Sequence, residues 1–455
     1  MSTKGKKNKK AVRLSPTQII ATVFASIILV GACLLTLPVA SRNGQSAGFL
    51  TALFTATSST CVTGLVLADT WTQWSGFGQI VILSMIELGG LGFMSAASLV
   101  VFVLRKKVGL RQRMLMAQAL SVNEMEGVVR LQKWVLLGSL IIQLTGALIL
   151  FLRFLTLDYS VWQSLKWGVF HAVSAFCNAG FDITGNIAPG QSLMVFNQDP
   201  AILITLMALI TVGGLGFFVW EEVATVRSFR KYSVYTRLVL LTSGVLTFGG
   251  ALVIGLLEWN NPGTLGSMDT PGKVLNALFQ SVTVRTAGFA SVDQAALTDG
   301  GKVISIFLML IGGSSGSTAG GIKTVTFLVL VLFVLSRARG RTTVTVFKRT
   351  VPHGKILDAA TIVFLVAGLV VAGAVFICVT SSVGFTEALF ETASALATVG
   401  LTAGVTPGLS LAAKLMVIVF MYFGRVGILT ISLGFLMGDR AVERYRYADT
   451  NLLIG

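Results

Sequence analysis

Four short stretches of the chain combine residue types suited to one kind of chemistry: Thr60-Cys61-Val62-Thr63-Gly64, Cys177-Asn178-Ala179-Gly180, Arg285-Thr286-Ala287-Gly288 and Ala397-Thr398-Val399-Gly400. None contains Asp or Glu. Each offers a run of backbone carbonyls closed by a glycine, and carbonyl oxygens gathered around an axis replace the hydration shell of a cation without any acidic ring. Glycine suits such a loop because it takes backbone angles that aim carbonyls inward and adds no side chain to block the ion. One loop of this kind is an ordinary glycine turn. Four in register are a different matter.

The register comes from the segments that lead into them. Ala52-Leu53-Phe54, Gly168-Val169-Phe170, Ala277-Leu278-Phe279 and Ala388-Leu389-Phe390 each precede a loop glycine, by ten residues from the Phe in three copies and by nine in the third. The glycines recur about every 110 residues, too long a period for a solenoid and right for two membrane spans plus a re-entrant element. Each leading segment is apolar and rich in Ser and Thr, which reads as a half-helix whose negative C-terminal end points at its loop.

Composition supplies the solvent in which these loops must sit. Of 455 residues 54% are hydrophobic and 12% charged, more apolar surface than a soluble core of this length hides, and apolar runs of spanning length recur from residue 17 to residue 437. Outgoing spans are expected near residues 17–39, 131–156, 236–259 and 356–382, and returning spans near 76–104, 200–226, 302–336 and 411–437. The fold class expected is an all-α membrane protein of eight spans and four half-helices around one pore. Its divisions are a basic tail (1–16), repeats at 17–113, 114–235, 236–350 and 351–438, and a C-terminal tail (439–455). The lysine-rich start is read as a retained tail ahead of the first span, not as a signal peptide.

The formal charge of +16 falls in short connections, not in a nucleic-acid-binding surface. Its clusters are the N-terminal tail, Arg105 to Arg113 with Arg130 and Lys133, Arg227 to Arg237, Arg337 to Lys355, and Arg440 to Arg446. That is the positive-inside pattern. It places all five clusters and both termini in the cytoplasm, some of the charge against anionic lipid. Every repeat then begins and ends on one side, so the four share an orientation about an axis along the membrane normal. Four cysteines without a CxxC pair indicate neither a metal site nor a disulfide framework.

Two features bear on control of the path. The third returning span is interrupted by Gly312-Gly313-Ser314-Ser315-Gly316-Ser317-Thr318-Ala319-Gly320-Gly321, a polar loop at mid-membrane that reads as a gate; small residues for close helix packing are the plainer reading, and already account for Gly89-Gly90-Leu91-Gly92 and Gly213-Gly214-Leu215-Gly216. Arg425 lies near the middle of the fourth returning span, where a guanidinium needs water or a partner. It either raises a barrier beside the gate loop or pins two helices. Asp69 and Asp293 follow their loop glycines by five residues and Asp182 by two, as charges that draw cations to an outer mouth or as caps of the returning helices. Glu87, Glu391, Lys323 and His171 also fall in or near spans, with no unique role.

These residues resemble the Trk/Ktr/HKT superfamily of potassium transporters, most closely its KtrB-type membrane subunits. The likeness runs from about Leu14 to Gly455 and is most specific at Ala56 to Leu65, His171 to Phe181, Arg285 to Phe289, Gly316 to Lys323 and Thr398 to Thr402. It implies that Gly64, Gly180, Gly288 and Gly400 belong to a potassium-preferring selectivity filter, that Gly312 to Gly321 form an intramembrane gate, and that Arg425 lies beside it. It further implies a homodimer with one pore per protomer, a cytosolic ring of nucleotide-binding (RCK-type) regulatory subunits, potassium as the transported ion, stimulation by sodium, and no organic cofactor in this chain. Cys177 stands where many members have Asn, and Glu87 where many have Gln.

Other classes fit less well. A sodium-coupled potassium symporter with alternating access shares broken helices, but such carriers commonly use inverted repeats. An intramembrane enzyme lacks its parts here: two histidines, no HExxH and no paired aspartates.

Overall fold

The computed structural model describes residues 16–92 and 128–427. The two basic tails, the cluster Arg105 to Arg113 and the distal parts of spans 76–104 and 411–437 lie outside the described residues. The architecture is helical, with one short hairpin, β1 (Thr345–Val346) paired antiparallel with β2 (Arg349–Thr350).

Four long helices match the four expected outgoing spans: α1 (Pro16–Thr36), α5 (Val128–Thr156), α9 (Val234–Glu258) and α13 (His353–Thr380). All four are long and apolar enough to cross a membrane, by length and composition. On α9 the apolar residues Val245, Phe248, Leu252 and Leu256 are 65–72% exposed at helical spacing, a stripe that water would not tolerate and lipid would. Packed on the outgoing helices are four short ones, α2 (Phe49–Thr60), α6 (Val161–Phe176), α10 (Thr270–Thr283) and α14 (Phe385–Leu396). Their repeated phenylalanines, Phe54, Phe170, Phe279 and Phe390, are all buried. Hydroxyls buried beside them return to their own helix: Ser59 donates to the Thr55 carbonyl and Thr392 to that of Ala388, so the half-helices carry polarity inward without stranding it.

The returning segments are where the structure departs from expectation. The expected span near 200–226 is not one straight helix. Instead α7 (Pro200–Leu215) stops at Gly216, and α8 (Phe217–Val226) leaves at a 98° bend. α15 (Leu411–Val426) stops at Gly427, and α4 (Gly76–Gly90) ends just before Gly92. Gly92, Gly216 and Gly427 have φ of 81°, 90° and 97°, a backbone region that side-chain-bearing residues avoid, which is why the helices stop there. The third returning segment is broken as expected, between α11 (Asp299–Leu310) and α12 (Thr324–Ala338).

Close packing through small residues also operates, three positions earlier in each case. A β-carbon on Gly89 would lie 2.0 Å from the Thr60 carbonyl oxygen, one on Gly213 2.0 Å from that of Phe176, and one on Gly424 2.1 Å from that of Leu396. Thr60, Phe176 and Leu396 are the last residues of three half-helices. The returning helices thus press bare backbone against the carbonyl ends of the half-helices. Gly89→Ala and Gly213→Ala are each expected to destabilise the protein by about 2–3 kcal/mol through overpacking against fixed backbone, seen as a lowered unfolding temperature in detergent, whereas Gly138→Ala, with open space at its β-position, should leave it unchanged.

Candidate functional site

The four loops close a ring in chain order. A β-carbon on Gly64 would lie 2.6 Å from the Ala179 carbonyl oxygen, one on Gly180 2.7 Å from that of Ala287, one on Gly288 2.3 Å from that of Val399, and one on Gly400 2.0 Å from that of Thr63. Each glycine therefore faces the carbonyl just before the glycine of the next loop, and the fourth returns to the first. All four glycines have positive φ, from 68° to 98°, and so do the residues two before them, Val62, Asn178, Thr286 and Thr398. Repeating one backbone conformation four times gives four loops that present the same edge inward. The sequence-expected residues of all four loops are brought together by this closure.

The loops are tied down by a hydroxyl that sequence reading gave no part. Ser58 and Ser394 accept from the Gly64 and Gly400 N–H groups at 3.0 Å, while Ser174 and Thr283 donate to the Phe181 and Phe289 carbonyls at 2.7 Å. Three of these residues stand six positions before their glycine and Thr283 five, the same one-residue difference seen in the Phe-to-Gly spacing. The signal was in the sequence as a recurring Ser or Thr. Three further loop hydroxyls, those of Thr60, Thr63 and Thr398, are buried without a protein partner.

The interrupted segment 311–323 lies directly against the ring. A β-carbon on Gly320 would sit 2.1 Å from the Thr398 hydroxyl and 2.9 Å from the Ala397 carbonyl; Thr318 donates to the Phe176 carbonyl at 3.1 Å, with the Asn178 amide 3.4 Å away. The segment also finishes the broken helix α7. Its Ser314 and Thr318 N–H groups donate to the Gly214 and Gly213 carbonyls at 3.0 and 3.3 Å, and the Ser314 hydroxyl to Leu215. Its own carbonyls are held by Phe217 N–H on Gly316 and Tyr235 on Ser315, both at 2.9 Å. Arg425 donates to Thr318, Gly89 and Gly90 carbonyls at once, joining the segment to α4. Lys323 donates to Ala319 at 2.8 Å.

On the ring's other side the acidic residues divide. Asp69 caps the short helix α3 (Thr70–Gln73), accepting from Thr72 N–H at 2.8 Å, and also takes Gly190 N–H at 3.0 Å. Asp182 and Asp293 cap no helix: they accept from Thr184 and Ala295, two residues on. The returning helices are capped by Ser75, Asp199, Thr298 and Ser410. Glu391 is buried and binds Thr402, Ala403 and Thr406; Glu258 likewise gathers Asn261, Thr264 and Thr298. Both are clamps on the loops beyond the ring. His171 is buried among Phe154, Phe170 and Phe289, with Nδ1 on the Trp167 carbonyl.

Comparison with known proteins agrees with this geometry. The family model TrkH, described as a cation transport protein, matches residues 3–444. The chain is 40% identical to the Ktr system potassium uptake protein B of Bacillus subtilis, covering 98% of each chain. It is 38% identical to the potassium/sodium uptake protein NtpJ of Enterococcus hirae, covering 99% of each. The crystal structure of the potassium transporter TrkH from Vibrio parahaemolyticus superposes with a TM-score of 0.71 at 18% identity, over 94% of this chain and 86% of that one; it speaks for the fold.

Burial and the nearby Asp69 carboxylate push Asp182 up to about 6 from an ordinary 3.8. A folded pKa above the unfolded one means that the folded state binds the proton more tightly, so the ionised group works against stability above pH 6 and ceases to do so below about pH 4. Asp182→Asn is expected to raise the unfolding temperature at pH 8 and to leave it unchanged near pH 3.5.

Proposed function

Since the chain belongs to the TrkH family of cation transport proteins, whose members are ion transporters and not enzymes, we propose that it takes potassium into the cell through a channel-like pore filtered by the four-loop ring. The observation that carries this reading is the closed ring itself, in which each loop glycine faces the next loop's carbonyl. Such a ring has no room for a side chain and presents only carbonyl dipoles and hydroxyls, a surface for a dehydrated monovalent cation. In this reading Thr60 to Gly64, Cys177 to Gly180, Thr286 to Gly288 and Thr398 to Gly400 form the filter.

The surrounding helices make four units of span, half-helix, loop and broken span, eight crossings in all, with both termini in the cytoplasm as the basic clusters require. The segment Gly312 to Gly321 is the gate: it fills the space below the second and fourth loops, and Arg425 latches it by donating to Thr318 from one side and to Gly89 and Gly90 from the other. The names of relatives as parts of a Ktr system favour a partner subunit. A homodimer under a cytosolic nucleotide-binding ring is the arrangement we propose. Sodium enters as an activator or as a coupled ion; the potassium/sodium name of one relative favours the second, a symporter, and single-molecule throughput separates the two.

The experiment is growth of a host without potassium uptake in low-potassium medium, followed by reconstituted flux of potassium, rubidium and sodium. Rescue with a potassium preference is expected; sodium flux alone would sink the reading. Gly64→Ser and Gly400→Ser are expected to lower potassium-over-sodium discrimination at least about tenfold, because the added atoms must push neighbouring backbone apart and widen the ring. The loss should be larger at Gly400, where the clash is closer. Deleting Ser314 to Ala319 is expected to raise basal flux severalfold, and a well-folded deletion with unchanged flux would remove the gate.

A further inference from the structure

Glu87 lies in α4 after the apolar run Ile80-Val81-Ile82-Leu83-Ser84-Met85-Ile86. A carboxylate at such a depth needs either a partner of opposite charge or a cation-bearing path beside it. Its partners are neutral. Gln143 Nε2 reaches both of its oxygens, at 3.2 and 3.0 Å, and the Cys177 thiol donates at 3.3 Å. Among the described residues the ion pairs are Arg153–Asp199, Lys302–Glu387 and Lys355–Asp358, none of which includes Glu87.

None of the charged groups on the elements around it forms an ion pair with it, although the Arg425 guanidinium, held on the neutral Gly89 and Gly90 carbonyls, keeps its charge on the same helix end. Arg425 is committed to carbonyls of α4 and segment 311–323, and Lys323 to the Ala319 carbonyl. On α6, Lys166 lies over the Trp71 ring and His171 is bonded to Trp167. On α5, Arg153 pairs with Asp199, and Lys133 stands ten residues from Gln143, about 15 Å along the helix. α1 and α2 contain no charged residue.

What Glu87 does touch is the ring. Cys177 is the fully buried residue three before Gly180, and a β-carbon on Gly90 would lie 2.6 Å from its sulfur, so α4 is pressed against the second loop. The equivalent position of the third loop is Arg285, bonded only to Ser243 and Thr247. Neighbouring loops are therefore backed by opposite charges, and the ring is not electrostatically fourfold. Glu258 and Glu391, in contrast, are spent on loop hydroxyls and N–H groups.

We propose that Glu87 is a positioning and affinity-setting residue for the transported cation: a fixed negative charge behind the second filter loop, coupled to it through the Cys177 thiol, whose counter-ion is the potassium in the ring. This rests on the potassium-uptake reading. A unit charge held in a poorly screened interior acts over several ångströms, and carbonyl dipoles alone supply no net charge to match the ion's.

The test is Glu87→Gln, which keeps the size and one acceptor oxygen for Gln143 and Cys177 and removes the charge. The half-saturation concentration for potassium uptake is expected to rise about fivefold or more and the maximal rate to change less than about twofold; the unsubstituted protein is expected to lose affinity as pH falls and the carboxylate takes up a proton, a dependence that Glu87→Gln should lack. Glu87→Asp should retain most of the affinity. Wild-type affinity and pH profile in Glu87→Gln would show that the group is neutral and overturn the proposal. Cys177→Asn combined with Glu87→Gln separates charge from fit: a persistent affinity loss supports the charge, and restoration by the pair of amides overturns it. Absence of potassium uptake in the unsubstituted protein would instead defeat the underlying reading.

Discussion

The structure depends on a contact between bare backbones: the α-carbon of a glycine in one loop set against the carbonyl of the next, four times around a closed ring. Backbone at this depth has no lipid-facing solution and must be surrounded by protein or water. Everything near the ring serves that need. The half-helices bring the chain in, their Ser and Thr hydroxyls hold the loops, and the returning helices abut the half-helix ends with glycine so that nothing bulkier intrudes.

A second constraint follows from the first. Helices that stop at mid-depth leave carbonyls without intrahelical donors, and the chain satisfies them with the segment that also lies across the ring's inner side. Ser314 and Thr318 finish α7, while Arg425 finishes α4 and holds Thr318. The segment is anchored at its two ends by the buried Ile311 and Ile322, and between them it is fastened mainly by hydrogen bonds. Hydrogen bonds of this kind can be replaced by bonds to water at modest cost, as the proposed gate requires.

Much of this was legible in the residues. The Phe-to-Gly spacing located the four loops and the half-helices, because that spacing is set by one repeated local geometry, and the apolar runs located the outgoing spans. The breaks at Gly216 and Gly427 were not, since a glycine pair in an apolar run reads equally as close packing, and Gly213 does pack closely against Phe176. Asp182 and Asp293 do not cap the returning helices because Asp199 and Thr298, nearer the helices, do that work. The Glu87–Cys177 contact joins residues 90 apart, and no local pattern announces it. The serine tethers were visible as a spacing, but only the fold shows which group each hydroxyl meets.

The ring's closing contact lies between Gly400 and Thr63, the two loops furthest apart along the chain. A chain emerging from the ribosome can form its first three loops in turn, each against the one before, and still own an open arc. The ring is therefore complete only when the fourth loop docks on the first, across the largest separation the ring contains. Until then the exposed loop edges and the unpaired half-helix ends must be sheltered by lipid headgroups, water or the insertion machinery. On the proposed reading, a chain that lacks the last loop has no complete filter, whatever else of the fold it has formed.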